Sequence, residues 1–283
     1  MIQSKPVVCS AKPDWNNFGR ASAAQRWRKQ SAALGRNVTD AIVEAAQVLP
    51  GMQILDLACG TGEPSISLAT RLDGTGEVIG VDVSTEPLKI ARERAASHEL
   101  TNVRFQNADV HQLPFSDNSF DRVTSRLGVM FFADLPRVAR EMHRVLKPGG
   151  RVVLLAWGPM QQPYFESTVG TVLRTIPGAM LPDSASQMFR FGRTGVLTHV
   201  LRDAGFKHVD ERLLTVPWTW PDTPEEVWAY FQEMAVPFAP LLKSISPEQR
   251  REVDEAVLRA IAQHYDGKEI NFTATVNMTS AVK

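Results

Sequence analysis

Two glycines and an acidic residue lie close together in the run Asp56-Leu57-Ala58-Cys59-Gly60-Thr61-Gly62. Glycines at positions 60 and 62 allow a sharp turn and let a ligand approach the main chain without meeting a Cβ atom. The apolar run from Met52 to Leu57 predicts a buried strand before this turn, and a helix is expected to begin near Pro64. Free N–H groups of that helix and the Asp56 carboxylate would suit a nucleoside ligand with a polar or cationic tail.

Other nucleotide-binding loops match this segment less well. A dinucleotide-binding turn has the pattern G-x-G-x-x-G, and this chain has Ser65 in place of the third glycine. A phosphate-binding Walker loop has a lysine after its last glycine, and none is present here. The acidic residues Asp56 and Glu63 would also repel a pyrophosphate. These differences count against a nucleotide-dependent oxidoreductase, which remains only a third interpretation.

Further acidic residues follow the next two predicted strands. The apolar segment 78–83 contains Asp82, about 20 residues after Gly62, which is the spacing at which an acid reaches a ribose in such folds. A helix-capping role is the alternative interpretation of Asp82, and Ser84 or Thr85 is expected to cap the helix that follows. Segment 103–110 predicts a third strand that ends at Asp109. Parallel strands would bring these carboxylates to one edge of a sheet.

The ordered motifs over residues 50–157 resemble the class I S-adenosylmethionine (SAM) methyltransferases, and above all those of ubiquinone and menaquinone biosynthesis (methyltransferase type 11). The shared features are the D-x-x-C-G-x-G loop, Asp82, Asp109, a strand at 122–126, and a Pro148-Gly149-Gly150 turn before a strand at 152–157. The resemblance implies an α/β fold: a Rossmann-like seven-stranded sheet with an antiparallel terminal hairpin and a helical substrate cap. It also implies SAM as the cofactor and S-adenosylhomocysteine as the product.

The resemblance assigns roles to individual residues. Asp82 would accept from both ribose hydroxyls, Asp109 would accept from the adenine amino group, and the backbone N–H of Val110 would reach the adenine ring. The expected cofactor contacts are Asp56, Ala58, Gly60, Thr61, Gly62, Asp82, Val83, Asp109, Val110 and Arg126. The expected acceptor contacts are Phe18, Arg126, Met130, Trp157, Phe191, Trp228 and Phe231. For Arg126, an exposed strand-end cation is an equally good interpretation.

Strand and helix patterns divide the chain into three parts. Residues 1–48 are expected to form an N-terminal helical cap, 49–157 the SAM-binding core, and 158–283 the end of the sheet with cap insertions at about 158–192 and 217–267. Terminal strands are expected at 207–216 and 268–280, with helices at 224–234 and 247–264 between them. Prolines at 159, 163, 177 and 182 predict irregular structure in 158–192. Aromatic residues of the insert form either its own core or an acceptor wall.

Composition limits the partners. The chain has 31 basic and 31 acidic residues and no basic stripe, which disfavours a nucleic-acid substrate. No apolar run is long enough for a signal peptide or a membrane span, so the cytoplasm is the expected location. Two cysteines are too few for a disulfide framework, and the six histidines have no metal-ligand spacing. No metal is therefore expected, and the oligomeric state stays open.

The predicted function is SAM-dependent methyl transfer to a hydroxyl or carbon of an apolar, aromatic, quinone-like or polyketide-like small molecule. No catalytic residue can be assigned, because methyl transfer needs mainly alignment and desolvation. His111 lies near the predicted crevice, but a structural role is favoured over that of a general base. The alternative function is a non-catalytic sensor of SAM or a nucleoside, or a partner subunit.

Overall fold

The computed structural model describes residues 35–283, and a seven-stranded sheet forms its centre. The strands are β1 (Gln53–Leu57), β2 (Glu77–Asp82), β3 (Val103–Asn107), β4 (Phe120–Arg126), β5 (Leu146–Trp157), β6 (Lys207–Trp220) and β7 (Ile270–Val282). They lie in the order β3-β2-β1-β4-β5-β7-β6. Strands β1 to β5 pair in parallel, and β7 pairs antiparallel with both β5 and β6. The predicted fold class, a Rossmann-like sheet with a terminal antiparallel hairpin, is confirmed.

Helices connect the strands and form the cap. They are α1 (Arg36–Ala46), α2 (Ser65–Arg71), α3 (Thr85–Ser97), α4 (Leu135–Val145), α5 (Pro163–Phe165), α6 (Thr171–Thr175), α7 (Asp183–Ser186), α8 (Val196–Asp203), α9 (Pro224–Met234), α10 (Ala239–Ser244) and α11 (Pro247–Ala262). A π-helical turn, Glu166–Gly170, joins α5 to α6. Within residues 35–283, 3₁₀ turns lie at Val129–Phe131, Gln187–Phe189 and Val236–Phe238.

The middle of the sheet is apolar on both faces, which explains the continuous hydrophobic runs in the sequence. Ile54, Leu55 and Leu57 of β1 are fully buried, as are residues 152–156 of β5. Because β1, β2 and β4 run in parallel, the loop after Leu57, the carboxylate of Asp82 and the side chain of Arg126 all lie at one edge. The strand order alone therefore places the predicted site residues close together.

Strand β6 is longer than the sequence predicted, so the insert begins after Trp220 and not at Pro217. Its last residue, Trp220, pairs with Ile270 at the far end of the hairpin. Pro217 is tolerated because β6 is the edge strand of the sheet. Trp218 and Trp220 are 8% and 1% exposed, and both rings contact Tyr164. Burial of these two indoles explains why pairing continues past the proline.

Other predicted elements differ in detail. Segment 158–192 is largely helical, because its proline at position 163 occupies the first turn of α5, where a missing N–H costs no hydrogen bond. Strand β3 ends at Asn107, so Asp109 and Val110 belong to the loop that follows. Ser84 stands at the N-cap of α3, but its side chain makes no capping hydrogen bond.

The second insert is a helical layer fixed by its own caps. Thr223 begins α9 and Ser246 begins α11, each with a capping box that satisfies two backbone N–H groups. The indole Nε1 of Trp228 donates to Asp254 Oδ1 at 2.7 Å, which joins the two helices. The predicted helices of the insert are thus present, and α9 has the bounds expected from the sequence.

The N-terminal part of the predicted domain division can be followed only in part. Phe18 and the other positions before residue 35 lie outside the described residues. Helix α1 buries Val38, Ile42 and Val43 against the sheet. Arg122 of β4 holds the end of this helix by donating from Nε to Ala46 O at 2.6 Å. The division into 1–48, 49–157 and 158–283 remains a prediction.

Candidate active site

A cavity of about 480 Å³ lies at the carboxyl edge of the parallel strands. The loops after β1 to β4 form one part of its wall, and the ends of β5, β6 and α9 form the other. Its described lining residues are Gly35, Val38, Ala58, Cys59, Gly60, Thr61, Glu63, Asp82, Val83, Ser84, Pro87, Ile90, Arg94, Asp109, Val110, His111, Arg126, Leu127, Gly128, Phe131, Phe132, Trp157, Trp218, Trp220, Tyr230 and Met234. The cavity thus has a polar half built on the loops and a more aromatic half beneath the insert.

The loop after β1, residues 58–64, turns sharply and leaves space above it. Ala58 and Gly60 have φ angles of 54° and 52°. A Cβ atom on Gly60 would meet no atom within 4 Å, so this glycine faces open space. A Cβ on Gly62 would lie 2.8 Å from the Cδ1 of Ile66, and Gly62 does not line the cavity. The first glycine therefore leaves room for a ligand, and the second allows the loop to pack on α2.

Asp82 ties this loop to the end of β2. Its Oδ2 accepts a hydrogen bond from Gly60 N and its Oδ1 accepts one from Ser84 N, both at 2.9 Å. Burial raises the pKa of Asp82 above its ordinary value, although these backbone donors oppose the shift. Each carboxylate oxygen has a further lone pair, and the residue lines the cavity beside Val83.

Asp109 is held in place by His111. The carboxylate Oδ1 accepts from His111 N at 2.9 Å and lies 2.6 Å from His111 Nδ1. Asp134 N donates to His111 Nε2 at 3.2 Å, so the proton of a neutral imidazole resides on Nδ1 and points at Asp109. Burial alone would raise the pKa of Asp109, but the hydrogen bonds from His111 hold it below its ordinary value. These bonds use Oδ1, and the carboxylate's other oxygen takes part in none of them.

Asp56 lies beneath the cavity and does not line it. The side chain has no exposed surface. Its Oδ2 accepts from Ser65 Oγ at 2.6 Å and its Oδ1 accepts from Thr124 Oγ1 at 2.8 Å. Burial raises the pKa of Asp56 to about 7, although both hydroxyls oppose this change. The structure therefore gives Asp56 a place in joining β1, α2 and β4, away from any ligand in the cavity.

The raised pKa of Asp56 predicts a pH-dependent stability. The folded protein keeps this proton up to about pH 7, whereas the unfolded chain releases it near 3.8. Between these values the folded state binds more protons, so the free energy of unfolding falls as pH rises, by at most about 4 kcal/mol. Asp56→Asn should remove that fall. Urea unfolding at about pH 5 and about pH 7 measures it.

The test compares how steeply the unfolding free energy of the two proteins changes with pH. A hydrogen bond that the asparagine weakens lowers the unfolding free energy at both pH values and so leaves this slope unchanged. The lowered pKa values of Asp121 and Glu141 place their titration below this pH range, so they contribute little slope there. Asp82 contributes equally to the pH dependence of the unfolding free energy in both proteins. An Asp56→Asn protein whose unfolding free energy falls with pH as steeply as that of the parent would contradict the assignment.

A charged cluster lies where the two halves of the cavity meet. Arg94 donates from Nη1 to Thr61 O at 2.7 Å and from Nη2 to Glu63 Oε1 at 2.8 Å. Glu63 Oε2 accepts from Ser67 Oγ at 2.7 Å, so both oxygens of this carboxylate are occupied. Arg126 approaches only the backbone of Glu63, with 3.5 Å between its Nε and Glu63 O. Desolvation lowers the pKa of Arg126, and the nearby Glu63 and Asp56 partly compensate.

Three indoles dominate the aromatic half. The ring centroids of Trp157 and Trp218 are 5.1 Å apart, and those of Trp218 and Trp220 are 5.5 Å apart. Tyr230 of α9 meets Trp220 edge to face at 5.1 Å. Burial raises the pKa of Tyr230 to about 12, so its hydroxyl stays protonated at neutral pH. We call this part, with Phe131, Phe132 and Met234, the aromatic half.

The cavity brings together most of the cofactor contacts expected from the sequence, and few of the acceptor contacts. Ala58, Gly60, Thr61, Asp82, Val83, Asp109, Val110, Arg126 and Trp157 line it. Met130, Phe191, Trp228 and Phe231 are at most 3% exposed and do not line it. Met130 Sδ faces Trp157 N at 3.3 Å, and Trp228 stacks on Phe231 with centroids 5.5 Å apart. These four side chains belong to the core that supports the cavity.

Several lining residues have no counterpart in the sequence prediction. Trp218, Trp220, Tyr230 and Met234 were expected only as members of an aromatic-rich insert. Arg94 carries no signal of its own, because an arginine on a helix is ordinarily a solvated cation. Its ion pair with Glu63 joins positions far apart in the chain, with side chains only 11% and 14% exposed. Only the tertiary structure reveals this contact.

Residues 35–283 contain no group of His, Cys, Asp and Glu side chains able to hold a metal ion. Cys59 is a free, buried cysteine in the cavity wall, and burial raises the pKa of its thiol well above the ordinary value. Across the same residues, every helix is too short or too polar to cross a bilayer. The ionisable side chains among the described lining residues are carboxylates, arginines, one histidine, one tyrosine and Cys59.

Comparison with known proteins identifies relatives of this chain. A family model described as a methyltransferase domain matches residues 49–169. A demethylmenaquinone methyltransferase from Staphylococcus aureus strain MRSA252 is 44% identical over 151 residues, which are 53% of this chain and 57% of that relative. The enzyme of the same name from strain JH9 is 35% identical over 210 residues, or 71% of this chain and 82% of that relative.

The fold also recurs among solved structures. The YcgJ protein from Bacillus subtilis has a TM-score of 0.56 and 21% identity, with 87% of this chain and 97% of that protein covered. At this identity the likeness concerns the fold alone. The sequence relatives are the evidence for the family.

Proposed function

The chain belongs to the class I SAM-dependent methyltransferases of the quinone-biosynthesis type, and from this premise we propose that it methylates a hydroxyl or ring carbon of an apolar aromatic small molecule. The acceptor is quinone-like or polyketide-like. One observation carries the proposal: the cavity joins a half with a glycine loop and two carboxylates to a half walled by three tryptophans. A donor and a flat acceptor would meet where these halves join.

The polar half fits SAM. The open space above Gly60 admits a ligand close to the main chain, and Asp82 offers carboxylate lone pairs to a ribose. The oxygen of Asp109 that His111 leaves unused would accept from the adenine amino group. Bound SAM would supply a methyl group that is already activated for displacement. The chain's own contribution is then to align the acceptor, exclude water and hold charge in place.

The aromatic half supports an apolar acceptor. Indole rings bury large areas and favour flat, π-rich ligands. Burial of apolar surface contributes about 25 cal/mol per Å² before ordering costs. Curated relatives named demethylmenaquinone methyltransferase favour a quinone-like ring over an aliphatic or peptidic acceptor. Arg126, which lines the same cavity, disfavours a cationic amine.

A methyl-transfer screen tests the proposal. The purified protein is incubated with labelled SAM and matched acceptors: a naphthoquinol, a polyhydroxylated aromatic ketone, an aliphatic amine and RNA. We expect transfer of one labelled methyl group to the hydroxylated aromatics, seen by mass spectrometry. Preferred transfer to the amine or to RNA would overturn the acceptor class. Tight SAM binding with no turnover on any acceptor would instead favour a sensor.

A further inference from the structure

Arg126 is a cation with few hydrogen-bond partners among residues 35–283. It lies at the end of β4 and lines the cavity, near the backbone of Glu63 and close enough to Tyr230 for an electrostatic interaction. Its hydrogen bonding within residues 35–283 is limited to the 3.5 Å approach to Glu63 O. A guanidinium has five N–H donors and is costly to enclose when they stay unpaired. The side chain is therefore placed for an acceptor atom that the described chain does not supply.

The neighbouring carboxylates do not supply it either. Glu63 is bonded by Arg94 through one oxygen and by Ser67 through the other. Asp56 is bonded by Ser65 and Thr124, and its raised pKa leaves it partly protonated near neutrality. Because Arg94 is the arginine that pairs with Glu63, the guanidinium of Arg126, where the two halves of the cavity meet, is left without a hydrogen-bonded carboxylate among the described residues.

The polar side chains around the aromatic half are donors. Tyr230 keeps its proton at neutral pH, and the Nε1 atoms of Trp218 and Trp220 are buried and make no hydrogen bond in the described structure. His111 is engaged at Nδ1 and Nε2 by Asp109 and Asp134, on the loop side of the cavity. None of the described side chains of the aromatic half is a base for a neutral hydroxyl, and the carboxylates of Asp82 and Asp109 are assigned to the cofactor. An acceptor that is already an anion needs no such base.

We propose that Arg126 binds an oxyanion of the acceptor and so selects acidic hydroxyl compounds, namely phenols or enols conjugated to a carbonyl, in ionised form. This inference rests on the proposed function and narrows its acceptor class. The guanidinium holds the oxygen through its Nη groups, and the ring lies against the indoles of the aromatic half. A fork of N–H donors binds an oxyanion more strongly than it binds a neutral hydroxyl.

The electron balance of the step follows from this arrangement. The ionised acceptor supplies the electron pair of the new bond, either from its oxygen or from the ring carbon conjugated with it. The broken C–S bond leaves its pair on sulfur, so an anion and a sulfonium give two neutral products. With attack by oxygen, no proton moves in the step. With attack by carbon, the ring proton is lost afterwards to solvent, and the ring regains its conjugation.

A coloured phenol tests the anion site without turnover. The probe is para-nitrophenol, whose anion absorbs at longer wavelength than its neutral form, and the control ligand is para-nitroanisole, which cannot ionise. Both are titrated against the full chain in the presence of S-adenosylhomocysteine. We expect the bound phenol's pKa to fall by roughly one unit or more and its anion to bind roughly 10- to 100-fold more weakly to Arg126→Gln. Binding of para-nitroanisole should change little.

Control variants separate the possible failures. Arg104→Gln removes an exposed arginine of β3 that pairs with Glu77 outside the cavity, and it should leave all titrations unchanged. If Arg126→Gln does not fold, as judged by circular dichroism, Arg126→Met replaces it, because an apolar side chain of similar length avoids a buried polar group. A phenol whose pKa is unchanged on binding to the parent protein overturns the inference, whichever variant folds.

The carboxylate of SAM is the other oxyanion that Arg126 could bind, and calorimetry distinguishes it. If Arg126→Gln weakens SAM binding by tenfold or more and leaves the phenol's pKa shift intact, the inference is overturned, while the proposed function stands. If SAM affinity is retained and the shift is lost, the inference is supported. Failure of every hydroxylated aromatic in the methyl-transfer screen would overturn the proposed function itself.

Discussion

Replacement of Asp82 by alanine is expected to weaken SAM binding by roughly two to four orders of magnitude. The proposed contact joins one carboxylate to two ribose hydroxyls, and each charge-assisted hydrogen bond contributes about 1.5–3 kcal/mol. The same carboxylate accepts from Gly60 N and Ser84 N, so its loss also releases the loop after β1. The substitution should therefore remove the contact to the ribose and also free the loop after β1 to move.

Isothermal titration with SAM and S-adenosylhomocysteine measures this effect. Asp82→Asn keeps the size and one acceptor oxygen, so it should lie between the parent and the alanine variant. Asp210→Ala removes an acid of β6 whose side chain is 60% exposed, and it should bind SAM as the parent does. Unchanged affinity in Asp82→Ala would show that the ribose lies elsewhere, and thermal melting establishes that each variant is folded.

The parallel half of the sheet and its loops could be predicted from the sequence because their signals are local. An apolar run of strand length, two glycines and an acid specify the turn after Leu57 whatever surrounds it. Asp82 reached the predicted edge because its position follows from the length of one strand and one helix. The same reasoning brought Asp109 to the cavity, although β3 ends at Asn107 and the acid lies in the loop beyond it.

The aromatic half could not be predicted, because apolar side chains of the insert are alike in sequence and differ only in where the fold puts them. Trp228 and Tyr230 are two residues apart on α9, yet Trp228 faces Asp254 and the core while Tyr230 faces the cavity. Trp218 and Trp220 reach the cavity because β6 runs past Pro217. Asp56 shows the same limit, since its burial under the loop depends on Ser65 and Thr124 from other elements.

Replacement of Gly60 by valine should abolish SAM binding. The Cβ position of Gly60 is open, so the two methyl groups of a valine would project into the space proposed for the cofactor. The φ of 52° is unfavourable for a β-branched residue, at a cost on the order of 1–3 kcal/mol. A folded domain's stability of about 5–15 kcal/mol exceeds that cost, so the chain should stay folded.

Gly60→Ala is the matched control, because it carries the same left-handed backbone with only one added methyl group. Ala58 already adopts a φ of 54° two residues earlier, so the loop accommodates an alanine in this conformation. The alanine variant should therefore bind SAM within roughly tenfold of the parent at a cost of about 1 kcal/mol in stability, while the valine variant shows no heat of binding. The difference in SAM binding between the two variants therefore reports the added side-chain volume, because both variants carry a side chain on the same left-handed backbone. A valine variant that melts like the alanine variant and still binds SAM would mean that the cofactor does not pass over Gly60.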